Sequence, residues 1–298
     1  MKHKDIEHEV QNLWEKFFSD AMCEPKNIRE YASFMTEIER KAEFTAKEHL
    51  QPWLTIFETS IQWLSHISVV LDQCIHAGTD RNDLRSVWAL VGASCAHAVA
   101  VRRLALSGLD TPARAVLRCL DEHLMACLVM LDDSAVAQMF HASQDPEESR
   151  AFWHRYLQTK ELRKRLSSIE RKMDLSEEIS VVMRAWRDEE IQMYSQAIHP
   201  SFLSAALAVK TPVAGDPEKY AIAILGQASA ASERTLNFAC KTIWYFSRVA
   251  DFLLLNDLEK LTALFKIEMN ELHQTIIVGR NVIHELNRRY WDYKIHPF

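Results

Sequence analysis

Residues 112–131 read Pro-Ala-Arg-Ala-Val-Leu-Arg-Cys-Leu-Asp-Glu-His-Leu-Met-Ala-Cys-Leu-Val-Met-Leu. From Leu124 onward the stretch is apolar all the way round, the pattern of a helix buried on every side. Its first half carries Arg114, Arg118 and Glu122 at four-residue steps, so the three side chains stack on one helix face. Charges on a core helix are costly unless another charge pairs them or a cleft wets them. This polar stripe is therefore the leading candidate for a site.

The composition around it points to helices. A chain of 298 residues with 6 glycines and 8 prolines has too few turn residues for a β-rich protein. The expectation is an all-α fold, a multi-helix bundle. Hydrophobic residues at 48% and charged residues at 26% match a soluble globular protein. The formal charge of −6 gives no global basic field, so any contact with nucleic acid must be local. The cysteines form no Cys-x-x-Cys pair and sit mostly in apolar helical runs, which reads as free, buried thiols in a reducing compartment. The start, Met-Lys-His-Lys-Asp-Ile-Glu-His, has no apolar core of a signal peptide. The longest uncharged run, Ser86–Val101, falls short of the ~20 residues that span a bilayer. A cytoplasmic protein without membrane contact is expected.

Helix starts are marked by Asn27, Asp80, Asp110 or Thr111, Ser134, Asp145, Ser176 and Asp216 as N-caps, with Pro52, Pro112, Pro146 and Pro217 at first helical positions. These predict helices over 4–20, 27–50, 52–77, 81–107, 112–132, 134–142, 146–173, 176–197, 201–209, 217–254 and 257–293. No run of clean period-two alternation competes, and Lys210–Gly215 reads as a short linker. Three regions follow: N-terminal helices over 1–79 packing on the core, a central bundle over 80–209 carrying the polar site, and a C-terminal unit over 216–298, all in one continuous domain. In the last region Leu236, Cys240, Ile243, Phe246, Ala250 and Leu253 recur at steps of three or four, as do Leu258, Leu261, Phe265, Met269, Leu272 and Ile276. With a short turn near Leu255-Asn256-Asp257 they predict a long antiparallel helical hairpin. It would pack on the bundle or on a second copy, and a homo-oligomer through it is expected. Gly279 interrupts the second helix, where a kink is expected.

Other chemistry-bearing residues cluster near Tyr194-Ser195-Gln196-Ala197-Ile198-His199-Pro200. Proline disfavours helix for the preceding residue, so His199 belongs at a helix end, where the dipole favours its protonated form. Tyr194, Ser195 and His199 lie within about a turn and a half, so their polar groups can converge on an anion or assist proton transfer. The blander alternative is a capped, hydrogen-bonded corner. For the arginine stripe it is a structural ion pair between helices. The segment Lys160–Lys172 carries many basic residues, and the mixed charges read as a solvated helix face rather than a phosphate contact. His97, beside a stripe of alanines, reads as a satisfied core histidine. His284-Glu285 opens like a zinc-protease helix, but Arg288 stands where a second histidine is needed. No phosphate-binding glycine loop, dinucleotide fingerprint or nucleophile elbow is present in the sequence, and no metal or cofactor is expected.

The block Leu104–Glu122 resembles a bacterial all-helical family known only as a domain of unknown function: a helix, a glycine turn, a helix with Arg-x-x-x-Glu, and later a Tyr/Ser-x-x-x-His corner. Here these are Arg118, Glu122, Ser195 and His199, and the resemblance spans roughly residues 80–205. That family is distantly similar to the HEPN helical proteins, many of them metal-independent RNases or nucleotide binders. HEPN nucleases place four to six residues between an arginine and a histidine. Arg280 and His284 are one spacer short of this, and Arg289 to His296 carries Tyr290 where a polar residue is usual.

The leading functional expectation is a binding or interaction protein with an anion cleft. Arg118 would hold the anion, Glu122 would orient Arg118, and His199 would add a protonatable donor. Arg114, Tyr194 and Ser195 would complete the contacts, and the ligand would be a small anion, a nucleotide or RNA. The competing expectation is a metal-independent RNase using Arg280 and His284. A third is a dimeric scaffold with no small-molecule site.

Overall fold

A computed structural model describes residues 3–20, 28–76, 82–199, 202–256 and 271–291. The elements are α1 (His3–Asp20), α2 (Ile28–His49), α3 (Trp53–His76), α4 (Asn82–Leu106), α5 (Asp110–Asp132), α6 (Ser134–Ala142), α7 (Pro146–Phe152), a π-helical turn (Trp153–Leu157), α8 (Thr159–Lys172), α9 (Glu177–Ile198), α10 (Phe202–Val209), β1 (Lys210–Val213), β2 (Asp216–Ile222), α11 (Ala231–Leu255) and α12 (Glu271–Arg289). Among the described residues the protein is all-α apart from one two-stranded ribbon.

Helix α5 is the axle of the bundle. It packs against α4, α6, α8, α9 and α11. Every residue from Leu124 to Leu131 is buried, as the apolar run requires. One hydrophobic cluster extends from Ala46 on α2 to Ile283 on α12. Burying these side chains supplies the main drive for folding, at roughly 25 cal/mol per Å² of apolar surface.

The helix punctuation is partly as expected. The Asp145 carboxylate accepts from the Glu147 and Glu148 amides with Pro146 next to it, and the Ser176 hydroxyl accepts from the Ile179 amide. The cap of α6 is Asp133 rather than Ser134, since its carboxylate reaches the Ala135 and Val136 amides. Helix α5 starts at Asp110 with no side-chain cap. Asn27 and Asp80 lie outside the described residues.

Two expected helices are corrected. The predicted helix over 146–173 is broken, because Gln158 adopts an extended conformation (φ −58°, ψ 146°) between the π-helical turn and α8. The predicted helix over 217–254 begins only at Ala231. Lys210–Gly215, read as a linker, instead forms β1 and a turn that pair antiparallel with β2. Asp216-Pro217 mimics a helix start, yet Asp216 pairs with Lys219 at 2.6 Å within the strand. The ribbon escaped a period-two reading because most of β2 is exposed, so its sequence shows no burial alternation.

Two glycines hold the segment before α11 against the α4–α5 turn. Gly108 has φ +74° and Gly226 φ +99°, conformations that side-chain-bearing residues rarely adopt. A Cβ on Gly226 would lie 2.2 Å from the Ser107 carbonyl oxygen, and one on Gly108 would lie 2.3 Å from the Gln227 backbone.

The segment 257–270, including the expected hairpin turn at Asp257, lies outside the described residues. Helix α12 rests mainly on α3 and less on α11. The Trp63 indole donates to the Ile276 carbonyl at 3.0 Å, and its ring lies 3.0 Å from where a Cβ on Gly279 would sit. The helix runs unbroken through Gly279. By length and composition Asp83–Leu106 could cross a membrane. In this fold it lies among α3, α5 and α6.

Candidate functional site

The arginine stripe on α5 divides into two environments. Arg114 is turned to the start of its own helix, where it pairs with Asp110 at 2.8 Å. It also donates to the Thr235 hydroxyl of α11 at 3.2 Å, and that hydroxyl donates to Asp110 at 2.7 Å. With 12% and 11% of the side chains exposed, Arg114 and Asp110 form a shielded link between α5 and α11. Arg114 does not line the cavity that Arg118 and Glu122 face.

Arg118 and Glu122, one and two turns further on, pair at 2.7 Å and remain 29% and 43% exposed. They face a cavity of about 330 Å³ enclosed by α5, α8, α9 and the turn before α8. Tyr194, Ser195 and His199, the histidine corner of α9, line the same cavity. The structure thus brings together five of the six residues expected at the main site and sets Arg114 apart. His199 closes α9 in extended conformation, its amide bonded to the Ser195 carbonyl at 3.0 Å, and its side chain stands exposed at the rim. Tyr194 points deeper, donating to Glu190 at 3.3 Å.

Further residues that the sequence reading did not assign to the site belong to it. Asp121, Arg163, Trp186, Arg187 and Glu190 also line the cavity. Arg163, from the basic face of α8, pairs with Asp188 of α9 at 2.8 Å. Neighbouring members of that face are tied down too: Lys172 to Asp132 at 2.5 Å, and Arg165 over the Tyr156 ring at 4.9 Å. Arg187 bonds to Glu170 with only 13% and 9% of the two side chains exposed. Its guanidinium carbon lies 4.3 Å from the Tyr245 ring centroid, and the Tyr245 hydroxyl donates to Glu170 at 3.0 Å. Glu190, buried, accepts from Thr242 of α11 at 3.1 Å as well as from Tyr194. Two N–H groups beside the cavity, Trp186 Nε1 and Arg187 Nε, are buried without a hydrogen-bond partner.

A signal for Glu190 and Glu170 was present. Glu190 falls in step with Met183, Trp186 and Met193 on the buried side of α9, and Glu170 with Leu162, Leu166 and Ile169 on that of α8. An acid repeating in phase with an apolar face is a buried acid.

Burial governs the acids. Removal from water pushes the Asp121 carboxyl up to about 7, with Glu122 adding to the rise and Arg187 and Arg118 opposing it. Glu190 is raised as well, first by burial and then by the charge of Asp121, with the bonds from Thr242 and Tyr194 and the Arg187 charge opposing. Tyr194 is raised by burial and by both carboxyl groups. The polar end of the cleft is complemented by an apolar wall of Met125, Leu157, Leu162, Leu166 and Ile191.

The second arginine–histidine pair is placed elsewhere. Arg280 pairs with Asp251 of α11 at 2.5 Å, while His284 Nδ1 accepts from the Trp244 indole at 3.3 Å. Arg289 is bound to Glu285 at 2.8 Å, and His296 lies outside the described residues. His97 is half-buried and lies beside His123, ring centroids 4.9 Å apart and planes tilted by 60°. Among the described residues no group of three or more His, Cys, Asp or Glu side chains is placed to hold a metal ion. The described cysteines are free thiols, three of them buried.

Comparison with known proteins finds no matching family model, no matching curated protein and no matching solved structure.

Proposed function

We propose that this protein binds a small organic anion in the cleft between α5, α8 and α9. The observation that carries the reading is the convergence of donors. Arg118, Arg163, Arg187 and His199 line one cavity, and two buried N–H groups beside it are unspent. Arg118 is the principal anion contact, held in place by Glu122, and a guanidinium fork suits a carboxylate or phosphate. His199 at the rim and Ser195 add donors near solvent. The apolar wall gives the ligand a hydrocarbon or aromatic body, and about 330 Å³ lies at the small end of ligand-site volumes.

Thermal melting with benzoate and with inorganic phosphate tests this. A ligand that binds only the folded state raises the melting temperature, and the rise should vanish in Arg118→Ala. No rise with benzoate would retire the proposal.

Dimerisation through the C-terminal helices is a separate proposal. Val278 and Val282 on α12 are 59% and 41% exposed, a surface that a second copy could cover. Light scattering that shows a strict monomer would remove it. The RNase alternative through Arg280 and His284 gains no support from their separate engagements with α11, and metal-free cleavage of RNA, lost in His284→Ala, is the result that would favour it.

A further inference from the structure

The floor of the cleft holds two carboxyl groups, Asp121 and Glu190, that no cation among the described residues pairs with. Arg118 is committed to Glu122, Arg163 to Asp188 and Arg187 to Glu170. Glu190 is held by two hydroxyl groups, Tyr194 from its own helix and Thr242 from α11. Asp121 is left with only the longer-range attraction of Arg187 and Arg118. Of the other titratable groups, Glu122 on α5 and Tyr194 and His199 on α9 line the same cavity, while Glu170 on α8 and Tyr245 on α11 bond each other beside Arg187. With both carboxyl groups ionised, the paired arginines leave an uncompensated negative charge where the ligand would sit. An incoming anion is then repelled. With the carboxyl groups protonated the repulsion vanishes, and each acid becomes a hydrogen-bond donor, a role that apolar sites give to neutral carboxylic acids.

Building on the anion-binding reading, we propose that Asp121 and Glu190 determine the specificity of the cleft by taking up a proton as the anion enters, Asp121 accepting it from solvent. Burial already favours the protonated form of both groups, and the Asp121 range near 7 puts the exchange within reach of neutral solution.

The test uses benzoate and benzylammonium, two probes with the same ring and opposite charge. Calorimetric titration at about pH 7.5, in two buffers of different ionisation enthalpy, counts protons exchanged per ligand bound. The proposal expects benzoate to bind with uptake of roughly half to one proton. Its affinity should fall by up to about tenfold per pH unit as the solution is made more alkaline. In Asp121→Asn the uptake should drop by more than half while binding persists. Asp121→Ala, which also lacks the carboxyl, serves in its place if that variant does not fold. Benzoate bound with no proton exchange in the wild-type protein would overturn the coupling and leave the anion cleft standing. Preferential binding of benzylammonium with proton release, or no binding of benzoate, would overturn both.

Discussion

Arg118 on α5 and His199 at the end of α9 line one cavity, although 80 residues of chain lie between them. Their meeting depends on α5 as the axle. Helix α9 packs directly on α5, so the C-terminal turn of the one opens beside the polar stripe of the other. The charges in this helix are compensated in two ways: Arg114 by a shielded counter-charge, Arg118 by a neighbouring acid and an open cleft.

The two arginines should therefore behave differently. Arg118→Ala should weaken benzoate binding by about ten- to a hundredfold, the worth of a charged hydrogen bond, with little change in stability. Arg114→Ala should leave affinity within about twofold and cost roughly 1–3 kcal/mol of stability, because Asp110 and Thr235 lose a buried partner. Calorimetry and urea denaturation on the same two variants would separate the roles.

The bond between Arg187 and Glu170 is the most shielded charge pair joining α8 to α9. Breaking a buried pair leaves an uncompensated charge, which typically costs about 3–5 kcal/mol. Glu170→Ala should approach that loss in urea denaturation, with the Tyr245 hydroxyl also losing its acceptor. Arg187→Met with Glu170→Leu should recover most of it. Equal stability of the single and double variants would show that the pair is not what holds α8 and α9 together.

Asp121 makes stability depend on pH. Its folded-state value of about 7 lies above the ordinary 3.8, so folding favours the protonated form. Below about pH 4 the group is protonated in both states and costs nothing. As pH rises toward 7 the unfolded chain gains by ionising and the folded one does not, so this contribution to stability is lost through that window. Asp121→Asn should thus stabilise the protein at pH 8 by on the order of 2–4 kcal/mol and leave it nearly unchanged at pH 4. A variant equally stabilised or destabilised at both values would place the titration elsewhere.

The glycine contact between the α4–α5 turn and the segment before α11 has no slack. Gly226→Ala adds both a positive-φ penalty and a Cβ 2.2 Å from a carbonyl oxygen. A loss of roughly 3 kcal/mol or more is expected, read as a melting temperature lower by several degrees. Gly92→Ala, where the added Cβ would meet only Ser68 Oγ at 3.9 Å, is the matched control and should be nearly neutral or stabilising.

What the sequence carried was local. The apolar ring of Leu124–Leu131 announced a helix buried on all sides, and the four-residue step of Arg118 and Glu122 announced their pairing. Asp145-Pro146 and Ser176 announced helix starts, for their side chains bond amides two or three residues away. The β-ribbon was hidden because Tyr220 and Ile222 face solvent, which removes the alternation that identifies a half-buried strand. The break at Gln158 was hidden because no glycine or proline marks it. Glu170, Glu190 and Thr242 belong to the cleft through contacts between helices, and periodicity along one helix reports only which face is buried. Asp121 was legible as a charge near the stripe, but not as an acid without a cation of its own.

Diffraction from crystals grown with 4-bromobenzoate would show whether the cleft between α5, α8 and α9 receives an organic anion. Anomalous bromine density is expected against the apolar wall of Leu157, Leu162 and Leu166. The carboxylate should lie within hydrogen-bond reach of the Arg118 guanidinium. A cavity filled with ordered water at saturating ligand, with bromine bound only elsewhere on the surface, would contradict it.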